Sequence, residues 1–323
     1  MKKPFLWITL FTLSLWLVLS LFVLPSYATR VAHNPVTTTP AQAGITYEDV
    51  TIESDGLKLP GWWMPADSPI AELMFIHGAG SNRTSYFIDS LNLYKALTHM
   101  GISVLSVDLR NHGNAPKTTG YLTMGLDEHR DVLAMAAWLK ARQSTPLPTL
   151  LMGASMGGAT AVHALANGLA VDGVILFDPA LHTADSLAQG ASVNTGLPAA
   201  LFKLYAWASV NFYPLPSGNT DTLELAKTLA QPILLIQDVA DPVTRLPYAE
   251  ELAETNDFID LRMAPNPAEN AKCLQGKGRW GSHVAAFKCD NAWMMRVLAD
   301  YLSALGISHR GASLATSENP FRP

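Results

Sequence analysis

Thr149-Leu150-Leu151-Met152-Gly153-Ala154-Ser155-Met156-Gly157-Gly158-Ala159-Thr160-Ala161-Val162 is the stretch that decides the fold: an apolar run, a turn with glycines around one serine, and the start of a helix. A serine hydroxyl that attacks a carbonyl has to be thrust out of the backbone on a tight, strained turn. Small residues at 153 and 157 permit that turn. The pentapeptide G-x-S-x-G alone is also an ordinary glycine turn. Its position between an apolar strand and a helix favours the nucleophile reading of Ser155. That reading requires an oxyanion-binding loop upstream and an acid and a histidine downstream.

The surrounding chain has the size and composition of a folded domain. With 323 residues and 49% hydrophobic content it can bury a substantial core, as one large domain with an insertion. A net charge of -5 and a pI near 6.0 leave no basic surplus for a phosphate backbone, so nucleic acid is not an expected partner. Lys2 and Lys3 precede an uncharged stretch over residues 5–24 rich in Leu, Trp, Phe and Val, which marks an export or membrane signal. Its length suits a membrane anchor, whereas Ser26-Tyr27-Ala28 offers the small residues of a cleavage site. Residues 1–28 are therefore an anchor or a signal peptide. The remainder is expected to be membrane-tethered on the extracytoplasmic side, or periplasmic or secreted if cleaved. In an oxidising compartment Cys273 and Cys289 are a candidate disulfide, the alternative being two separate buried thiols.

Taken in order, residues 29–45, rich in Thr, Pro and Ala, are expected to form an extended linker, and folding starts at residue 46. Alternation over 47–52, a Ser54-Asp55-Gly56 turn and residues 57–64 predict a hairpin. Buried strands are expected at 71–76, 102–107, 149–152, 173–177, 233–236 and 258–263. Helices are expected near 86–100, 126–142, 247–255 and 284–305. Continuous apolar strands alternating with helices indicate a mostly parallel sheet covered on both faces. The alternation breaks between 181 and 230, a length usual for a lid or functional insertion. Residues 305–323 are polar and expected to be a disordered tail.

Several motifs in chain order carry a family resemblance. They are Asp55-Gly56 with Leu59 and Trp62-Trp63, His77-Gly78-Ala79-Gly80, Asp108-x-Arg110-x-His112-Gly113, the serine turn, Asp241 and His283. Over residues 46–304 the chain resembles the α/β-hydrolase fold superfamily, in its branch of membrane-associated or exported serine esterases with a small helical cap. The resemblance implies the order nucleophile, acid, histidine, which selects Ser155 and His283, since His309 lies in the tail. It implies Asp241 as the acid that orients the imidazole, with Asp238 and Asp178 as competitors; Asp238 stands where relatives usually have glycine. The backbone amides of Met156 and Ala79 would hold the oxyanion.

His77 is expected to shape its loop. His112, with Asp108 and Arg110, is expected to stabilise a loop near the pocket, and His129 and His163 to pack on helices. No cofactor is implied. No metal-ligand spacing such as H-E-x-x-H and no Gly-Lys-Ser/Thr phosphate loop occurs.

Leu201, Phe202, Leu204, Tyr205, Trp207, Val210, Phe212 and Tyr213 in the insertion give it enough apolar surface to cover a pocket for acyl chains. Cys273 and Cys289 bracket His283, so a bridge would close the histidine loop on itself. The expected activity is serine hydrolysis of carboxylic esters or thioesters, probed against small-molecule or lipid-like acyl substrates. A peptidase or acyltransferase using the same triad, and a membrane-tethered binding protein without turnover, are the alternatives.

Overall fold

The computed structural model describes residues 3–143 and 145–307. Eight strands form one sheet: β1 (Glu48–Ser54), β2 (Leu57–Met64), β3 (Ala71–Ile76), β4 (Ile102–Val107), β5 (Thr149–Ala154), β6 (Gly173–Phe177), β7 (Ile233–Asp238) and β8 (Ile259–Ala264). Their order is β1-β2-β4-β3-β5-β6-β7-β8. β1 and β2 form the expected antiparallel hairpin, β2 runs antiparallel to β4, and every other pairing is parallel.

Side chains on successive strand residues point to opposite faces, so a strand buried on both sides divides its apolar residues between two cores. Met74, Ile76, Leu151, Leu176 and Leu235 enter one core. Their neighbours Leu73, Phe75, Leu150, Met152, Ile175, Phe177, Leu234 and Ile236 enter the other.

Helices α4 (His129–Arg142), α5 (Met156–Ala166) and α9 (Leu246–Thr255) cover the first face, through Val132, Met135, Val162 and Leu252. Helices α3 (Ser90–His99) and α11 (Asn291–Ala304) cover the second, through Leu93, Leu97, Met294 and Leu298. The expected closing helix is broken into α10 (Ala286–Cys289) and α11 at Asp290, whose side chain caps α11 by accepting from the Trp293 amide at 2.9 Å.

Between β6 and β7 the chain forms a helical cap of α6 (Thr183–Thr195), α7 (Lys203–Phe212) and α8 (Thr222–Ala226). Ala188, Phe202, Tyr205 and Ala206 make its own small core. An Arg245–Asp185 ion pair ties it to α9.

Two expectations about the ends differ from the structure. Residues 29–45 do not stand clear of the domain as a linker but lie on it as a strap. Thr29, Val31, Pro40 and Ile45 are buried. The Val31 amide donates to Gly120 O at 2.9 Å, and Asn82 Nδ2 donates to Asn34 O at 2.9 Å. Composition suggested a linker because Thr and Pro dominate, yet a few apolar residues suffice to seat an extended chain. At the other end, Ile307 of the expected tail is buried in the second core; residues 308–323 of that tail, with His309, lie outside the described residues.

Ahead of the strap, helix α1 (Lys3–Val18), a π turn (Leu19–Val23) and α2 (Leu24–Ala28) run on from one another. Phe5–Ala28 is 24 residues with mean hydropathy 2.2 and is mostly exposed. It is long and apolar enough to cross a membrane.

Candidate active site

The serine turn joins β5 to α5. Ser155 has φ 54° and ψ -121°, in a region that L-residues rarely occupy. The turn is held by Ser155 N donating to Phe177 O at 3.0 Å and by Gly158 N donating to Ser155 O at 2.9 Å. A Cβ at Gly153 would lie 2.2 Å from Gly157 O, and one at Gly157 would lie 2.2 Å from Ile76 O. These two glycines are therefore needed for close approach of backbone to backbone, which is the reason for their spacing around Ser155.

Ser155, His283 and Asp241 come from three separate loops and meet in the fold. His283 Nε2 lies 2.9 Å from Ser155 Oγ, and His283 Nδ1 lies 2.6 Å from Asp241 Oδ2. With Nδ1–H donated to the carboxylate, Nε2 is left to accept from the serine hydroxyl. Asp241 also accepts from the amides of Val243 and Thr244 and from Thr244 Oγ1. Burial opposes its charge, but the adjoining His283 and these hydrogen bonds outweigh burial and hold Asp241 below the ordinary carboxylate value.

The two competing acids turn out to hold the same loop. Asp178 accepts from the Val284 amide and from the Asp238 amide, each at 2.7 Å. Asp238 accepts from Ser282 Oγ at 3.0 Å and from the Ala240 amide at 2.7 Å. Three carboxylates thus grip residues 282, 283 and 284 in succession. Asp178 steadies a strained point, since Val284 is β-branched and has φ 48°. Burial first, then the Asp241 charge, push Asp178 well above the ordinary carboxylate range. Asp178, Asp241 and His283 are close enough to suggest a cation site, but their facing atoms are already engaged in these bonds.

Lys277 was not singled out by the sequence, and no motif marks it. Its side chain is buried, with Nζ 2.5 Å from His283 O and 4.6 Å from the centre of the Phe87 ring. Burial pushes this ammonium down to about 8. Cys273 and Cys289 are joined in a disulfide that encloses both Lys277 and His283. Closing a loop of this length by a disulfide is worth about 3 kcal/mol through the unfolded chain. Treatment with reductant is therefore expected to lower Tm by several degrees, and Cys273→Ser with Cys289→Ser should reproduce the change. Thermal denaturation with and without reductant checks this; an unchanged Tm would show that the bridge does not hold the loop.

His77 sits at the end of β3 with Nδ1 2.9 Å from Gly78 O, while Nε2 accepts from the Leu109 amide at 3.1 Å. It is thus a neutral imidazole that ties the glycine loop to the end of β4. Arg83 and the Asn114 amide bind Asp108, and Arg110 forms a buried pair with Asp131. The Asp108-x-Arg110 motif is a scaffold for the loops around the pocket.

Burial, then His112, push His77 down to about 3; burial, then His129, push His163 down to about 4. Burial also lowers His112. These rings are neutral in the fold, whereas in the unfolded chain they take up protons below the ordinary value of 6.5. The stability they give is complete above that value and is lost as pH falls toward 4 and 3. Each contributes a slope of up to about 1.4 kcal/mol per pH unit. Tm is expected to fall steeply between pH 6.5 and pH 4, and His163→Leu should flatten part of the slope in a pH series of melting curves.

Two cavities meet at Ser155. One, of about 620 Å³, runs between the strap and the loop after β3 and is lined by Asn34, Thr37, Ser81, Asn82, Tyr86 and Trp280 among others. The other, of about 700 Å³, runs under the cap and is more apolar, with Leu24, Leu122, Met124, Leu187, Phe202 and Tyr205 in its wall. Ala79 and Gly80 border both. Among the described residues, the amides of Ala79 and Met156 donate to no carbonyl, and Met156 opens α5. They stand beside the serine with the positive end of a helix dipole behind one of them.

This sheet order, with a serine on the tight turn from β5 to α5 and a helical cap between β6 and β7, is that of the α/β-hydrolase fold. Residues 67–223 match the family described as serine aminopeptidase, S33. Phospholipase YtpA of Bacillus subtilis is 29% identical over 126 residues, a match covering 37% of this chain and 44% of that protein. The chain thus spans less than half the length of that relative. The esterase Pf2001 of Pyrococcus furiosus superposes with a TM-score of 0.67 at 21% identity, covering 85% of this chain and 97% of the esterase. Est1E of Butyrivibrio proteoclasticus, solved with ferulic acid, superposes with a TM-score of 0.57 at 14% identity over 80% of this chain and 98% of its own.

Proposed function

We propose that this protein is a serine esterase that cleaves carboxylic or thioesters of apolar acyl groups, tethered by its N-terminal helix on the extracytoplasmic side of a membrane. The observation that carries the reading is the Ser155–His283–Asp241 hydrogen-bond chain, with Ser155 in the wall of an apolar cavity. The Ser155 hydroxyl attacks the acyl carbonyl while His283 Nε2 takes its proton, and the resulting oxyanion is held by the amides of Met156 and Ala79. The carbon–oxygen or carbon–sulfur bond breaks, and His283 gives its proton to the leaving group. Water, deprotonated by His283, then attacks the acyl-enzyme carbonyl, and His283 returns that proton to Ser155 Oγ as the bond to the acyl group breaks and the acid is released. Asp241 keeps the imidazole in the required tautomer and stabilises its cation throughout.

The cavity under the cap, walled by Leu24, Leu187, Phe202 and Tyr205, is assigned to the acyl chain, and the cavity along the strap to the alcohol. The S33 match favours a second reading, aminopeptidase. That activity needs a free carboxylate for the substrate ammonium. Among the described lining residues the one carboxylate is Asp89, which borders the cavity along the strap and not the one under the cap.

Nitrophenyl esters of graded chain length set against aminoacyl nitroanilides test the choice. Esters should be turned over and nitroanilides not; the reverse would replace the esterase reading by the peptidase one. Gly190 lines the cap cavity, and a side chain there would meet open space. Gly190→Leu should therefore fill volume that an acyl chain would use, at about 0.8 kcal/mol per excluded methylene. The expected outcome is a fall of about 10²-fold in kcat/KM for a dodecanoyl ester, with a butyryl ester little changed. Equal loss on both esters would place the acyl chain elsewhere.

A further inference from the structure

The N-terminal helix does not merely precede the enzyme; it forms part of the pocket. Leu24, Tyr27 and Ala28, at its outer end, line the same cavity as Ser155, facing Leu187, Phe202 and Tyr205 of the cap. Leu24 packs on the small core of the cap. Further down the helix, the Trp16 indole N–H donates to Leu201 O at 3.4 Å.

The length of the helix fixes the depth of that contact. At 1.5 Å per residue Phe5–Ala28 is about 36 Å long, against about 30 Å for a bilayer hydrocarbon core. Trp16 lies about 17 Å beyond Phe5, past the midplane when Lys2 and Lys3 stay on the cytoplasmic side. A cap that touches Trp16 therefore reaches the depth of the outer leaflet. An indole N–H and a carbonyl at that depth have no water to bind and need one another.

The cap surface fits that environment. Between Asp185 and Asp221 the one charged side chain is Lys203. Leu197, Leu201, Trp207 and Phe212 are between 46% and 65% exposed, large side chains that an aqueous surface would seldom gather on one small cap. Trp207 and Phe212 pack edge to face, 5.4 Å between ring centres. Aromatic residues of this kind concentrate where hydrocarbon meets headgroups.

We infer that the cap is seated in the outer leaflet beside its own membrane helix, and that the substrate is an acyl ester resident in that leaflet, whose chain passes between cap and helix into the cavity under Ser155. The inference rests on the esterase reading and specifies its substrate class: a membrane lipid ester in place of a water-borne one. Chemistry at Ser155 is unchanged. What the leaflet adds is a path on which the acyl chain never leaves an apolar phase.

The full-length protein reconstituted in phosphatidylcholine vesicles is the test. Two ester probes are used in the same preparation, methylumbelliferyl palmitate dissolved in the bilayer and methylumbelliferyl acetate in the water. The variant carries Leu197→Glu, Trp207→Glu and Phe212→Glu, none of which lines either cavity. Turnover of the palmitate is expected to fall at least about tenfold, as the charges lift the cap from the leaflet, while acetate turnover stays within about twofold. Equal turnover of palmitate by wild type and variant overturns the inference. If the wild type hydrolyses neither probe, the esterase reading itself fails.

A measurement free of activity covers the case in which the triple variant is damaged and loses both. The emission that Trp207 contributes, taken as the difference between wild type and Trp207→Leu, should be quenched by brominated phosphatidylcholine. Absence of that quenching means that water, a second copy or another protein covers the cap, and overturns the inference.

Discussion

Ser155→Ala is expected to lower kcat for a nitrophenyl ester by about 10⁴- to 10⁶-fold and to abolish labelling by a fluorophosphonate, and His283→Ala to lower kcat by a similar factor. In the proposed mechanism the two side chains act as one unit: a serine hydroxyl is a poor nucleophile until a base accepts its proton, and Nε2 lies 2.9 Å away. Their effects should therefore not add, and the double variant should be no slower than the weaker single one. Residual rate would come from the cavity and the oxyanion amides, which neither substitution touches. Ser155→Ala relieves no backbone strain, because alanine meets the same penalty at φ 54°. An unchanged Tm should thus accompany the lost activity. A folded wild type that resists the fluorophosphonate would sink the assignment of Ser155 as nucleophile.

Asp241→Asn should cost about 10⁴-fold in kcat while leaving the structure in place. An amide at that position can still accept the Val243 and Thr244 amides, but it presents an N–H or a neutral oxygen to His283 Nδ1. The imidazole then loses either its tautomer or the charge that stabilises its cation. Asp178→Asn and Asp238→Asn are the informative comparison. Asp178 is held by two backbone amides, and an Asn there can accept one of them and leaves the other facing an NH₂ group, at about 1–3 kcal/mol for a buried unpaired donor. Its effect should appear chiefly in Tm, with kcat of the folded protein within about tenfold of wild type. Asp238→Asn should be milder still, since an amide oxygen can accept from both Ser282 and Ala240. Measured kcat and Tm for the three variants separate these roles. Equal loss of kcat at Asp178 and Asp241 would mean that both carboxylates serve the imidazole.

Much of the fold was legible because its signals are local. A strand buried on both faces is apolar at most of its positions, and the parallel strands from β3 to β7 stand out as such runs, interrupted by few polar residues such as Glu72 and Ser103, whereas β8 is more exposed. The glycines of the serine turn announce close backbone approach whatever lies around them. The helix ends were less legible: α10 and α11 read as one periodic segment until Asp290 is seen capping the second. The strap over residues 29–45 read as a linker, since its polar bulk hides the few side chains that seat it.

By itself the sequence determined the chemistry on offer: a serine on a strained turn, a histidine and an acid in a workable order, two cysteines around the histidine, and an apolar helix at the start. Those follow from residue type and spacing along the chain. Which acid meets the imidazole was decided only by tertiary structure. The family resemblance put Asp241 ahead of Asp178 and Asp238, but all three stand at the ends of two adjacent strands, and a hydrogen bond of 2.6 Å depends on the direction of a side chain and not on its rank in the chain. The same holds for Lys277, whose role exists only because the loop folds back over it. It holds also for the N-terminal helix: its composition suits a membrane, but its place in the wall of the cavity arises from contacts with a cap more than a hundred residues away in the chain.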